Sequence, residues 1–123
     1  MTPQEMVVHQ NSRVLALRYA DGTELNIPIE LMRVYSPSAE VRGHGPGQEV
    51  LQTGKREVTI VSVQPVGNYA IQPTFSDGHD SGLYSWDYLH HLGREQTRLW
   101  QDYEARLAAA GASRDPSAPK GQP

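Results

Sequence analysis

Residues 77–82, with the sequence Asp-Gly-His-Asp-Ser-Gly, hold the densest group of side chains that could do chemistry. A Ser-His-Asp hydrolase is disfavoured, because Asp77, His79 and Ser81 are too close in sequence. In such a triad the histidine contacts its two partners from opposite ring nitrogens. The chain also lacks the Gly-x-Ser-x-Gly sequence of a nucleophile elbow. We therefore expect no catalytic residue in this stretch.

A metal site is a second interpretation of the same residues. His79 with Asp77 or Asp80, joined by His44, would supply the two imidazoles and one carboxylate of a non-haem iron site, and zinc accepts similar ligands. The spacing does not require such a site, since the fold must bring His44 and His79 together. Iron or zinc is thus a possible cofactor, although none is expected.

A structural turn is the favoured interpretation on residue chemistry alone. Gly78 and Gly82 permit backbone angles that other residues avoid. Asp77 and Asp80 can accept hydrogen bonds from nearby backbone N–H groups. His79 would then pack inward.

Strand patterns dominate the first two thirds of the chain. Residues 1–10 are expected to be loose, and residues 13–19 to form a strand. Asp21-Gly22 predicts a hairpin turn, and Pro28 places the alternating strand after it at a sheet edge. A short helical turn is expected over 30–35, and a second over 39–42 lies within a long irregular connection over residues 36–56. Further strands are expected over 57–64, 69–75 and 82–85. The 57–64 strand has apolar residues on both faces and is therefore predicted to be central.

A helical period begins at Trp86, with Ser85 as the N-cap and Gly111 as the stop. Gly93 could mark a kink. Residues 112–123 have the composition of a disordered tail. The prediction is one α+β domain over residues 11–111: an antiparallel β meander of about four or five strands with a C-terminal α-helix packed on it.

Composition excludes several classes of function. The 123-residue chain has a net charge of -3, which disfavours nucleic-acid binding, and no cysteine, which excludes disulfides and thiolate metal sites. No run approaches the roughly 20 apolar residues of a membrane span. The N-terminus has no signal-peptide pattern. A cytoplasmic protein is expected.

Two long segments carry a resemblance to a known family. Residues 33–48, RVYSPSAEVRGHGPGQ, and residues 55–93, KREVTIVSVQPVGNYAIQPTFSDGHDSGLYSWDYLHHLG, resemble the gamma-butyrobetaine hydroxylase-like N-terminal domain family. The resemblance extends over roughly residues 10–110. It implies a small stand-alone bacterial member, because this domain also occurs alone in small bacterial proteins.

The resemblance implies an accessory role. In dioxygenases that use Fe(II) and 2-oxoglutarate, this domain precedes the catalytic domain, which holds the iron. A related domain is appended to some P-loop ATPases of iron–sulfur cluster assembly. The chain ends before a catalytic domain could begin, so dioxygenase activity is not expected from this domain alone.

The resemblance also implies a zinc site that this chain has altered. Relatives hold zinc with three cysteines and one histidine, and the histidine matches His79. Ser36, Ser38 and Val41 occupy the cysteine positions, so the family zinc is not expected. Either Ser36 and Ser38 close on His79 by hydrogen bonds, or His44 rebuilds a different metal site with a carboxylate. The first is favoured.

These observations lead to an expected function. The leading hypothesis is a non-catalytic interaction module with a protein partner and with no affinity for nucleic acid or membrane. Its candidate surface comprises Arg42, His44, Gln48, Tyr84 and Trp86. The alternative is an iron-binding or zinc-binding protein.

Overall fold

Two small antiparallel sheets form the framework of the molecule. A computed structural model describes residues 2–116. The first sheet has the strand order β1-β2-β3, and the second has the order β4-β5-β6. The strands are β1 (Glu5–His9), β2 (Val14–Arg18), β3 (Glu24–Pro28), β4 (Ile60–Val66), β5 (Ala70–Phe75) and β6 (Tyr84–Ser85). The predicted α+β class is confirmed, with six strands in two sheets in place of a single meander of four or five.

Four helices complete the fold: α1 (Ile29–Val34), α2 (Ala39–Arg42), α3 (Trp86–Arg94) and α4 (Gln96–Ala110). The Ser85 side chain accepts a hydrogen bond from the Tyr88 N–H, as expected of an N-cap. The single helix expected after Ser85 is instead two helices that meet at Glu95. Gly93 lets α3 approach β3 closely, because a Cβ there would lie 2.9 Å from Leu25 Cδ1. Gly111 ends α4 in the left-handed conformation.

The turn chemistry of the first sheet agrees with the sequence. Asp21 Oδ1 accepts a hydrogen bond from the Thr23 N–H at 2.9 Å, and Gly22 has a φ of 88°. Pro28 ends β3, which lies at the edge of its sheet. A proline at this position leaves no ladder hydrogen bond unmade within the sheet.

Three expectations about the elements were wrong. Residues 5–9 are not loose but pair with β2, because Met6 and Val8 pack against the core. The strand over 57–64 was predicted to be central, but the observed strand β4 lies at a sheet edge, since β5 lies between β4 and β6. Val61 on this strand is 61% exposed. Residues 112–116 are ordered against the 54–56 segment, where Gly54 and Arg56 donate backbone hydrogen bonds. The rest of the expected tail, residues 117–123, lies outside the described residues.

The core lies between the sheets and the helices. Its fully buried side chains include Leu15, Ile27, Met32, Ile60 and Leu89. Within residues 2–116, no helix is long and apolar enough to cross a membrane.

Candidate functional site

His79 is the centre of a closed polar cluster. Its Nε2 atom lies 2.8 Å from Ser36 Oγ and 3.4 Å from Ser38 Oγ, and its Nδ1 atom lies 3.5 Å from Glu40 Oε2. Ser36, Ser38 and His79 are all buried, and Ser36 is only 1% exposed. The hydrogen bonds expected from the two serines to His79 are therefore present. We call Ser36, Ser38, Glu40 and His79 the His79 cluster.

The order serine–histidine–carboxylate in this cluster does not make a hydrolase. A nucleophilic serine needs free space in which a substrate carbonyl can approach its oxygen. The backbone at Gly82 fills that space, because a Cβ there would lie 2.6 Å from Ser36 Oγ. Ser36 Oγ also accepts a hydrogen bond from the Ser38 N–H at 3.3 Å. The hydroxyl is thus a packed structural group.

Asp77 anchors the loop through two cations. Its Oδ2 atom lies 2.9 Å from Arg33 Nε and 2.6 Å from Lys55 Nζ. Its Oδ1 atom accepts a hydrogen bond from the His79 N–H at 3.2 Å. Burial alone would raise the pKa of Asp77, but Lys55, the His79 N–H and Arg33 together lower it to about 2. Asp77 is therefore ionised and engaged at neutral pH.

His79 itself favours the neutral form. Burial lowers the pKa of its imidazole, and the nearby charge of Arg33 lowers it further. Glu40 and Asp77 act in the opposite direction but do not reverse the shift. A neutral imidazole suits a ring enclosed by two hydroxyl groups.

The residues around His79 do not fit the zinc that the family resemblance implies. A structural zinc site of this kind takes four thiolate or imidazole ligands, whereas His79 faces two serine hydroxyls. Val41, at the third cysteine position, is buried and offers no donor atom.

The rebuilt metal site, with His44 and a carboxylate, is not assembled either. Among residues 2–116 no three histidine, aspartate or glutamate side chains are grouped as metal ligands would be. Asp80 is exposed, and its backbone carbonyl accepts a hydrogen bond from Gln72. His44 lies in a separate cleft.

That cleft, of about 790 Å³, lies beside the His79 cluster. One wall is α2 with the loop that follows it, and the other wall is formed by α3 and α4. Its floor is apolar and comprises Val34, Val41, Leu92 and Leu99. The rim residues His44, Pro46 and Glu49 are exposed, so the cleft is open to solvent.

Two tyrosines of the cleft are fixed by hydrogen bonds to the backbone. The Tyr35 hydroxyl donates to the Leu99 carbonyl at 2.7 Å, and the Tyr88 hydroxyl donates to the Tyr35 carbonyl. Burial raises the pKa of Tyr35, although Arg106 lowers it in part, so this phenol remains a neutral donor. The two rings therefore present fixed faces.

An arginine stacks on each of these rings. The Arg42 guanidinium lies 5.1 Å from the centroid of Tyr88, and the Arg106 guanidinium lies 5.5 Å from the centroid of Tyr35. Such cation–π contacts orient a guanidinium without consuming its N–H donors. We call Tyr35, Arg42, Tyr88 and Arg106, with the floor between them, the Tyr-Arg cleft.

The predicted interaction residues do not form one surface. Arg42 and His44 line the Tyr-Arg cleft, and Gln48 is exposed in the turn after His44. Trp86 is half-buried, and its indole N–H donates to the Asn68 carbonyl at 3.1 Å. The prediction for Tyr84 was wrong: its side chain is completely buried, and its hydroxyl donates to the Met32 carbonyl at 2.6 Å.

Sequence reasoning missed Glu40, Tyr35, Tyr88 and Arg106. Glu40 lies four residues after Ser36 in the chain, and a search for carboxylates near the expected histidine partners would have found it. Tyr35 and Tyr88 carried no signal, because each pairs with an arginine that is distant in the chain.

Comparison with known proteins identifies the family. The family model described as "Gamma-butyrobetaine hydroxylase-like, N-terminal" matches residues 6–90. The chain belongs to this family. No curated protein matches the chain significantly.

Solved structures extend the similarity to the fold. Two NMR solution structures, whose descriptions name no organism or activity, are 48% and 45% identical to the chain, with TM-scores of 0.81 and 0.80. Each covers 99% of this chain, which in turn covers 96% and 91% of their lengths. A crystal structure of a DUF971-family protein with unknown function from Acidithiobacillus ferrooxidans is 38% identical, with a TM-score of 0.63. That alignment covers 75% of this chain and 92% of the other.

Proposed function

We propose that this family member is a non-catalytic interaction module that binds a partner protein through the Tyr-Arg cleft. The supporting observation is a pair of arginines held over fixed tyrosine rings beside an apolar floor. Tyrosine and arginine are enriched among the residues that dominate binding energy at protein interfaces. Fixed side chains lose little conformational entropy on binding, which favours affinity.

The shape of the cleft favours a macromolecular ligand. Small-molecule sites usually bury most of the ligand surface. Here His44, Pro46 and Glu49 are exposed along the rim, and Val50 is 52% exposed at its end. An extended segment of a partner protein could lie across such an open cleft and continue beyond it.

The neighbouring groups support a non-catalytic role. Ser36 lines the cleft, but its hydroxyl is already bonded to His79 and is shielded by the backbone at Gly82. Asp77 is neutralised by Arg33 and Lys55. Ser36 and Asp77 therefore stabilise the wall of the cleft, and neither is placed to activate a substrate.

The experiment is affinity capture at native abundance, followed by reconstitution. Untagged partners captured by the wild-type protein should be lost with Arg42→Gln and with His44→Ala. They should be retained with Arg94→Gln, since Arg94 is exposed and lies outside the cleft. A candidate that shows this pattern is then purified and titrated by calorimetry, where a one-to-one complex is expected. If every captured protein binds all three variants equally, the proposed function is wrong.

A further inference from the structure

The arginines of the Tyr-Arg cleft differ from most other arginines of the chain in lacking an acidic partner. Arg13, Arg18, Arg33, Arg56, Arg98 and Arg114 each lie within 4.0 Å of a carboxylate. Among residues 2–116, Arg42, Arg94 and Arg106 have no such ion pair. Two of these three arginines line the same cleft.

Arg106 is short of a hydrogen-bond acceptor as well. Its Nε atom is buried, and no residue between 2 and 116 accepts a hydrogen bond from it. A buried donor without an acceptor costs about 1–3 kcal/mol of stability. Arg106 is therefore held with an incomplete set of acceptors, while its side chain as a whole stays partly exposed and lines the cleft.

The acidic residues in the cleft do not supply that acceptor. Glu49 and Asp102 also line the cleft, but within the described part of the chain neither lies within 4.0 Å of Arg42 or Arg106. The two guanidiniums are held instead by tyrosine rings, and among residues 2–116 no carboxylate pairs with their N–H groups. A planar guanidinium with available N–H groups matches a carboxylate, which accepts two parallel hydrogen bonds.

We infer that the group recognised in the Tyr-Arg cleft is a carboxylate on an acidic segment of the partner protein. This inference rests on the proposed function and specifies its chemistry. Glutamate or aspartate side chains of the segment pair with Arg42 and Arg106. An aliphatic side chain between them packs on the apolar floor at Val41 and Leu99. Charge and apolar surface together select an acidic segment with interspersed aliphatic residues.

The test is an NMR titration of the ¹⁵N-labelled full chain with a model peptide. The probe is acetyl-Gly-Glu-Leu-Glu-Glu-Leu-Glu-Gly-amide, and its matched control carries glutamine at every glutamate. Saturable shifts at amides of the cleft are expected with the acidic peptide at low salt, and they should weaken as salt screens the charges. The glutamine peptide should bind at least about tenfold more weakly, which is the loss expected for one charge-assisted hydrogen bond.

Variants test whether the two arginines bind the acidic peptide. Arg42→Gln and Arg106→Gln should each weaken the acidic peptide by about tenfold, while Arg94→Gln leaves its affinity unchanged. Arg106→Lys keeps the charge but loses the planar fork, and intermediate binding is expected. Since Arg106 also contacts Tyr103, amide dispersion must show that each variant is folded.

Free glutarate separates a partner segment from a small-molecule ligand. If glutarate binds as tightly as the acidic peptide, with the same dependence on Arg42 and Arg106, the assignment to a partner segment is wrong. If both peptides bind equally, or if neither gives a saturable shift, the inference that the cleft recognises a carboxylate is wrong. If captured partners still depend on Arg42 and His44 in that case, the interaction module stands and only this inference falls.

Discussion

The His79 cluster and the Tyr-Arg cleft lie side by side and use their polar residues in opposite ways. In the cluster, the imidazole and serine hydroxyls bond to one another and are buried. The adjoining Asp77 is paired with two cations. In the cleft, two guanidiniums rest on aromatic faces without an acidic partner among residues 2–116.

This difference separates the residues that stabilise the fold from the proposed recognition residues. Polar groups that satisfy one another contribute to folding and offer nothing to a ligand. Polar groups that are held in place but left unpaired retain their capacity to bind. The loop with the most chemistry-bearing residues is therefore a structural element, and the proposed recognition surface lies next to it.

The largest effect on stability is expected from Asp77→Asn. The Arg33 side chain is only 8% exposed, so loss of the carboxylate leaves a nearly buried charge poorly compensated. We expect the free energy of unfolding to fall by about 3 kcal/mol. Urea denaturation measures the change, with Asp80→Asn as the exposed control, expected within about 0.5 kcal/mol of wild type. If the two variants lowered the free energy of unfolding equally, the ion pairs of Asp77 would not be a special source of stability.

A smaller loss is expected from Ser36→Ala. The substitution removes the 2.8 Å contact with His79 Nε2 and the acceptor of the Ser38 N–H, both in a buried setting. We expect a cost of about 2 kcal/mol in denaturant unfolding. Ser81→Ala is the control, because the Ser81 hydroxyl is exposed and bonds to Glu40. If Ser36→Ala left the free energy of unfolding unchanged, the hydrogen bonds of the His79 cluster would contribute no stability.

The pH dependence of stability tests the state of His79. Its pKa is lower in the folded protein than the ordinary value of 6.5, so the folded state resists protonation. As pH falls below about 6.5, the unfolded chain takes up a proton that the folded chain does not, and stability decreases. The urea midpoint measured from pH 7.5 to pH 5 should fall less steeply in His79→Asn than in wild type.

The cleft should respond weakly in stability and strongly in binding. Arg42→Gln removes one cation–π contact at an exposed position, which costs at most about 1 kcal/mol. Calorimetric titration with a reconstituted partner should show a loss of affinity that Arg94→Gln does not share. A variant that loses stability and keeps affinity would reverse the roles assigned to the two regions.

The smallest effect is expected from metal. Since His79 is enclosed by Ser36 and Ser38, stoichiometric Zn(II) or anaerobic Fe(II) should leave its ring NMR signals unchanged in untagged protein. Saturable shifts at both His79 and His44, lost in His79→Ala, would instead establish a metal site that joins the two regions.

Local chemistry made much of the fold predictable. The Asp21-Gly22 turn, the Ser85 cap and the Gly111 stop depend on neighbouring residues, and the sequence places all three correctly. The strand Glu5–His9 escaped prediction because its alternation is short and only half-buried. The ordered 112–116 segment escaped because it depends on pairing with residues 54–56 and on the Arg114–Glu30 ion pair.

In the candidate site, too, some contacts could be predicted from the sequence and others could not. The contact of Ser36 and Ser38 with His79 followed from matching the family motif position by position. The Tyr-Arg cleft could not be predicted, because it forms only when α2 and its loop face α3 and α4 across the apolar floor. Tyr84 looked like a surface residue in a polar loop, but the short strand β6 turns its ring into the core.

The most direct test of the account is residue-by-residue mapping of the acidic-peptide titration on the wild-type protein. Saturable amide shifts are expected along α2, the 43–50 loop and the facing turns of α3 and α4. Residues 77–82, whose polar groups are engaged within the fold, should show little change. Shifts centred on residues 77–82, with the Arg42 and Arg106 amides unaffected, would contradict the division between a structural cluster and a recognition cleft.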